Sequence, residues 1–66
     1  MKKAIRKGVK LRYIGNNPLA QGQIFTVRHK SYSHVEVLFP CKYLDGSVHG
    51  QVACIPISDF EMLENQ

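Results

Sequence analysis

At 66 residues the chain has material for one small domain, because a polypeptide this short buries only about 60% of the surface its unfolded form exposes. That excludes a second core and leaves little room for an enzyme cleft. Hydrophobic residues at 44% and charged residues at 21% exclude a disordered chain, and six aromatics (Tyr13, Phe25, Tyr32, Phe39, Tyr43, Phe60) can anchor a core. The net charge of +4 is unevenly spread: residues 1–35 carry eight Lys or Arg and no acid, while residues 36–66 carry one Lys and five acids, giving +8 and −4.

Residues 1–7 read as a basic N-terminal tail carrying Lys2, Lys3, Arg6 and Lys7. The positive start suits a secretory signal, but Arg6, Lys7, Lys10 and Arg12 leave no apolar centre for one. No apolar run approaches the roughly 20 residues that a membrane-spanning helix requires. The expectation is a cytoplasmic protein with no membrane span, in which Cys41 and Cys54 remain reduced thiols.

From Val9 to Ile14 the pattern has period two, with Val9, Leu11 and Tyr13 on one face and Lys10 and Arg12 on the other, as in a strand with one buried side. Gly15-Asn16-Asn17-Pro18 ends it, and an exposed loop is expected through Gly22. Gln23 to His29 reads as a second strand, in which Phe25 and Val27 face opposite to Ile24 and Thr26. After a turn at 30–33, His34 to Phe39 alternates again with Val35, Val37 and Phe39 inward, and Pro40 is expected to end that strand.

Asp45-Gly46 is a hairpin signal, with arms expected at Lys42 to Leu44 and Ser47 to Ile55 and with Gly50 marking a bulge or bend. Ile57 to Phe60 reads as a single tight helical turn, followed by a short fifth strand from Phe60 to Glu64. Five short strands separated by turns every eight to twelve residues describe a small barrel or sandwich.

Three segments carry a likeness: Gly8-Val9-Lys10-Leu11-Arg12-Tyr13-Ile14-Gly15, Gly22 to Val27, and Ile57-Ser58-Asp59-Phe60-Glu61-Met62-Leu63. Over residues 8–64 the chain resembles bacterial SH3-like barrel proteins, including KOW-type and small photosynthetic-subunit barrels and many short phage and bacterial proteins. The resemblance implies an all-β domain, a small five-stranded SH3-like barrel with one 3-10 turn before the last strand, and a habit of binding partners. It does not extend to functional residues. Phe25 stands where the KOW pattern has a glycine after Gly22, and the chain lacks the tryptophan and the early acids of a polyproline-binding groove.

In such a barrel the first and last strands lie side by side, so Lys10 and Arg12 are expected to face Glu61 and Glu64 as cross-strand pairs. The remaining basic residues form the tail and a hairpin in which Arg28, His29 and Lys30 stand beside Tyr32 and His34. This hairpin is the candidate contact surface, with Lys2, Lys3, Arg6 and Lys7 as an accessory basic tail. A cationic, aromatic tip suits an acidic protein partner or an unpaired base.

His29 and His34 have a zinc-like spacing, but there is no Cys-x-x-Cys pair, and no metal or other cofactor is expected. Neither a nucleophile signature nor a phosphate-cradling glycine motif is present, so no catalytic residue and no small-molecule substrate is expected. Two readings stay open. One is a non-enzymatic interaction module that docks on a protein partner or assembly; the other is a nucleic-acid binder with Lys and Arg on phosphates and Tyr32 stacking on a base.

Overall fold

The computed structural model describes residues 5–63. It is all-β, with one 3-10 turn and two small antiparallel sheets. The strands are β1 (Lys10–Tyr13), β2 (Ile24–Thr26), β3 (His29–Lys30), β4 (His34–Lys42), β5 (Val48–Pro56) and β6 (Phe60–Met62), with the 3-10 turn at Ile57–Asp59. One sheet has the order β2-β1-β6 and the other β3-β4-β5. No strand pairing joins the two sheets, so the closed five-stranded barrel expected from the sequence is not observed.

The expected second strand is instead two short ones. Val27 and Arg28 lie outside both β2 and β3, and across them the chain passes from one sheet into the other. The alternation of side chains is nevertheless as expected. Leu11, Tyr13, Phe25, Val27, Val35, Val37, Phe39 and Phe60 are all buried, and Val9 is partly buried against them.

Four aromatic rings fill the space between the sheets. Tyr13 meets Phe39 edge-on at 5.1 Å and Phe60 at 5.6 Å, while Phe25 stacks on Phe39 at 5.5 Å. Edge-to-face and offset contacts of this kind add about 0.5–1.5 kcal/mol per pair beyond the burial of the rings themselves.

The loop after β1 is not simply exposed, as its composition suggests. Ala20 is fully buried, and the Asn17 carbonyl accepts the N–H groups of both Ala20 and Gln21 at 3.0 Å, folding the loop back onto the core. The Asn17 N–H in turn donates to the Tyr13 hydroxyl at 3.3 Å. Gly15 is required by close approach: a Cβ there would stand 2.9 Å from Cε1 of Tyr13 and closer still to its Cζ and Oη.

β4 passes through Pro40 and continues to Lys42, three residues beyond its expected end. The reason is which way the missing donor would point. β3 pairs only with Val35 and Glu36, so at position 40 no strand lies on that side of β4 to receive a hydrogen bond. Gly50 introduces no bulge, because the register with β5 is unbroken from His34↔Pro56 to Lys42↔Val48.

The turn between β4 and β5 falls at Asp45-Gly46 as expected, but Leu44, expected in the first arm, lies in the loop, because the Tyr43 N–H donates to the Ser47 carbonyl at 2.8 Å. Gly46 has φ 89°, and its N–H donates to the Tyr43 carbonyl at 2.9 Å. The resulting hairpin is long for the domain. The principal extents are 45 × 20 × 17 Å and the radius of gyration is 12.1 Å, against about 11 Å for a compact chain of this length. Ile5, in the segment read as a tail, packs against the core, whereas Lys2 and Lys3 lie outside the described residues.

Candidate interaction surface

The short pairing of β3 with β4 positions the candidate hairpin. His29 lies opposite Glu36 and Lys30 opposite Val35, and the turn is closed by the Ser31 N–H donating to the His34 carbonyl at 2.9 Å. Ser31 Oγ donates to the same carbonyl at 3.2 Å. At its tip Tyr32 has 98% of its surface exposed, so the ring makes almost no contact with its own domain.

The structure brings four of the five candidate residues into a common exposed stretch: Arg28, His29, Lys30 and Tyr32. His34 is half-buried at the start of β4, and its Nδ1 is hydrogen-bonded to Ser33 Oγ at 2.8 Å. Arg28 is partly neutralised. Its backbone N–H donates to the Glu36 carbonyl at 2.8 Å and its Nε stands 3.8 Å from Glu36 Oε2, so it shares its charge with an acid on the neighbouring strand.

The accessory basic residues are divided. Arg6 and Lys7 are exposed, and Lys7 borders a cleft of about 370 Å³ together with Gly8, Thr26, Val27, Arg28 and Glu36. On the other sheet the expected cross-strand pairing is found for Arg12, whose guanidinium is 3.0 Å from Glu61. Glu64 lies outside the described residues.

A second group of polar side chains, which the sequence reading did not single out, gathers near the β4–β5 turn. Ser47 Oγ donates to Asp45 Oδ1 at 2.6 Å and lies 2.8 Å from His49 Nε2, while His49 meets Tyr43 edge-on at 4.7 Å. The Gln51 amide donates to the Tyr43 hydroxyl. The Ser47 hydroxyl and then its N–H hold the Asp45 carboxyl below its ordinary value of 3.8, against a smaller opposing effect of desolvation.

Acid, hydroxyl and imidazole are thus within reach of one another, but in an order unlike that of a hydrolytic triad. The hydroxyl stands between the other two and gives its proton to the carboxylate, so the imidazole is not its base. Tyr43 lies opposite Ser47 across the turn and His49 is two residues farther along, so these three share one face of the hairpin, with Asp45 in the loop between them.

The two cysteines are free, Cys41 half-buried and Cys54 exposed. They fall on opposite faces of the hairpin, since Cys41 pairs with His49 and Cys54 with Glu36 in the same register. Among the described residues no three His, Cys, Asp or Glu side chains converge as metal ligands, and no helix is long and apolar enough to cross a membrane. No protein-family model, curated protein or solved structure matches the chain.

Proposed function

We propose that this chain is a non-enzymatic interaction module that docks on a protein partner through the hairpin from Arg28 to His34. The observation that carries the reading is Tyr32, a large side chain 98% exposed at a turn that hydrogen bonds hold closed. An exposed aromatic on the same hairpin as His29 and Lys30 is the kind of group that anchors interfaces, because it brings much contact area with few rotatable bonds. Arg28, whose Nε lies 3.8 Å from Glu36 Oε2, adds an exposed cation to the same hairpin.

The strand order supports an SH3-like arrangement beneath this surface. β1 lies between β2 and β6, the bent β2–β3 segment contributes to both sheets, and a 3-10 turn precedes the last strand. The alternative, nucleic-acid binding, draws on the same tip, with Lys30 and Lys7 on phosphates and Tyr32 stacked on a base. The pairing of Arg12 with Glu61 and of Arg28 with Glu36 lowers the positive potential available to it, which favours the protein partner.

A photoreactive phenylalanine analogue in place of Tyr32, expressed in cells that make the protein, separates the two. Adducts to a defined protein, whose affinity for the purified chain drops at least about tenfold with Tyr32→Ala, are the expected result. Adducts to RNA or DNA, with binding that weakens steeply as salt rises, would favour the alternative. Adducts to neither would remove this hairpin as the contact surface.

A further inference from the structure

β5 is an edge strand of nine residues, and it carries no charged side chain. Natural sheets guard such edges with lysines, bulges or covering loops, because a row of open backbone donors and acceptors recruits another strand. Among the described residues β5 has a neighbour on the β4 side only, and its ladder contains no bulge. Pro56, at its very end, is the one blocking residue.

Which backbone groups are open follows from the two ends of the hairpin. Tyr43 N–H donates to the Ser47 carbonyl at 2.8 Å, and Ile57 N–H donates to the Ser33 carbonyl at 2.9 Å. Both belong to the same register, so stepping by two between them makes 41/49, 39/51, 37/53 and 35/55 the hydrogen-bonded pairs. The N–H and C=O groups of Val48, Gly50, Val52 and Cys54 therefore point away from β4.

We infer that this edge pairs with β5 of a second copy of the chain, antiparallel and centred on Val52, so that β3-β4-β5 continues into the partner sheet. In that register Val52 faces its own counterpart, Gly50 faces Cys54 and Val48 faces Pro56, and all nine residues overlap. About eight backbone hydrogen bonds form across the two-fold axis, the proline removing one at each end.

Three features of the chain favour a second copy over a foreign strand. Antiparallel pairing about one point is self-complementary by symmetry. A chain of net charge +4 repels itself, yet no charge lies on either strand of this junction. A partner strand chosen by charge would find nothing on β5 to read. On the outer face Leu38 and Val52 are cross-strand neighbours, 50% and 54% exposed, and pairing sets Leu38, Val52 and their two counterparts in one apolar row. Cys54 faces Gly50, so the association needs no disulfide and persists in reductant.

The test is sedimentation of the full chain across a concentration series in reductant, with amide hydrogen exchange at both ends of the series. The expected result is a dimer whose dissociation constant rises at least about tenfold in Val52→Lys, which sets two like charges face to face. The Gly50, Val52 and Cys54 amides are expected to exchange at least about tenfold more slowly in the dimer than on dilution, a readout on the unaltered chain that stands even if the variant folds poorly. A monomer throughout the series would overturn the inference. So would a dimer that Val52→Lys leaves intact and in which those three amides stay unprotected.

Discussion

The core of the molecule and the outer face of its β4–β5 hairpin are built from the same alternating strands, yet only one of them has something to bury against. In the body, Leu11, Val35 and Val37 are completely covered, and four aromatic rings close the gap between the sheets. On the outer face of the hairpin, Leu38, Val48 and Val52 alternate with these inward residues but remain about half exposed, although Leu38 lies between the buried Val37 and Phe39, and Leu44 at the turn is fully exposed. Alternation decides that a strand forms; the opposite sheet decides whether its apolar side is hidden. Beyond the reach of that sheet the hairpin is held by its ladder and by the side chains around the turn.

The sharpest way to break the comparison is to truncate one residue on each side of it. Leu11→Ala should cost about 2–5 kcal/mol, since a fully buried leucine leaves both lost burial and a cavity. A 66-residue domain has roughly 3–10 kcal/mol in total, so this variant approaches unfolding. Val52→Ala, on the exposed face of the arm, should change stability by under about 0.5 kcal/mol. Urea midpoints measured at a concentration where the chain is monomeric decide it, and equal losses would mean the arm is as tightly packed as the body.

Gly15→Ala comes next, at about 1–3 kcal/mol, and it tests whether the body tolerates any addition beside Tyr13. The new methyl would collide with the Tyr13 ring, which is buried and packed against three other rings, so the ring must shift or the loop must lift. Thermal unfolding with near-ultraviolet circular dichroism reads both effects. An unchanged melting temperature and aromatic signal would show that the loop after β1 is not pinned to the core.

Much of this division was legible in the residues, for reasons of different strength. The period of two correctly placed Leu11, Tyr13, Phe25, Val27, Val35, Val37 and Phe39 on the inner face, because a pleated strand offers only two sides. Asp45-Gly46 located the turn, since it needs a residue tolerant of positive φ. Pro40 was misleading because its effect depends on whether a neighbouring strand lies on its N–H side, which is a property of the sheet and not of the strand. Ala20 could not be assigned to the core from a polar loop, nor could the bend at Val27 and Arg28 be read from an apolar run that continues through it. At the candidate site the exposure of Tyr32 followed from its place in a turn, but the pairing of Arg28 with Glu36 required the β3–β4 register.

The smallest expected effect lies in the turn of the arm and concerns pH. The Ser47 hydroxyl, and after it the Ser47 N–H, favour the ionised form of Asp45, so its folded-state value lies below the ordinary 3.8. A carboxyl lowered on folding stabilises the folded form at pH above the unfolded value, and the contribution is lost as pH falls through the folded one. Between pH 5 and 7 the Asp45 carboxylate should therefore stay ionised, and only below the ordinary carboxylate value should the Ser47 N–H lose its charged acceptor. The Ser47 amide proton shift, followed by NMR, should titrate with a midpoint below 3.8, and Asp45→Asn should abolish that titration. The core methyl resonances of Leu11 and Val37 should not follow the same curve, because nothing in the turn reaches them. Were they to shift together with Ser47, body and arm would have to be treated as one cooperative unit.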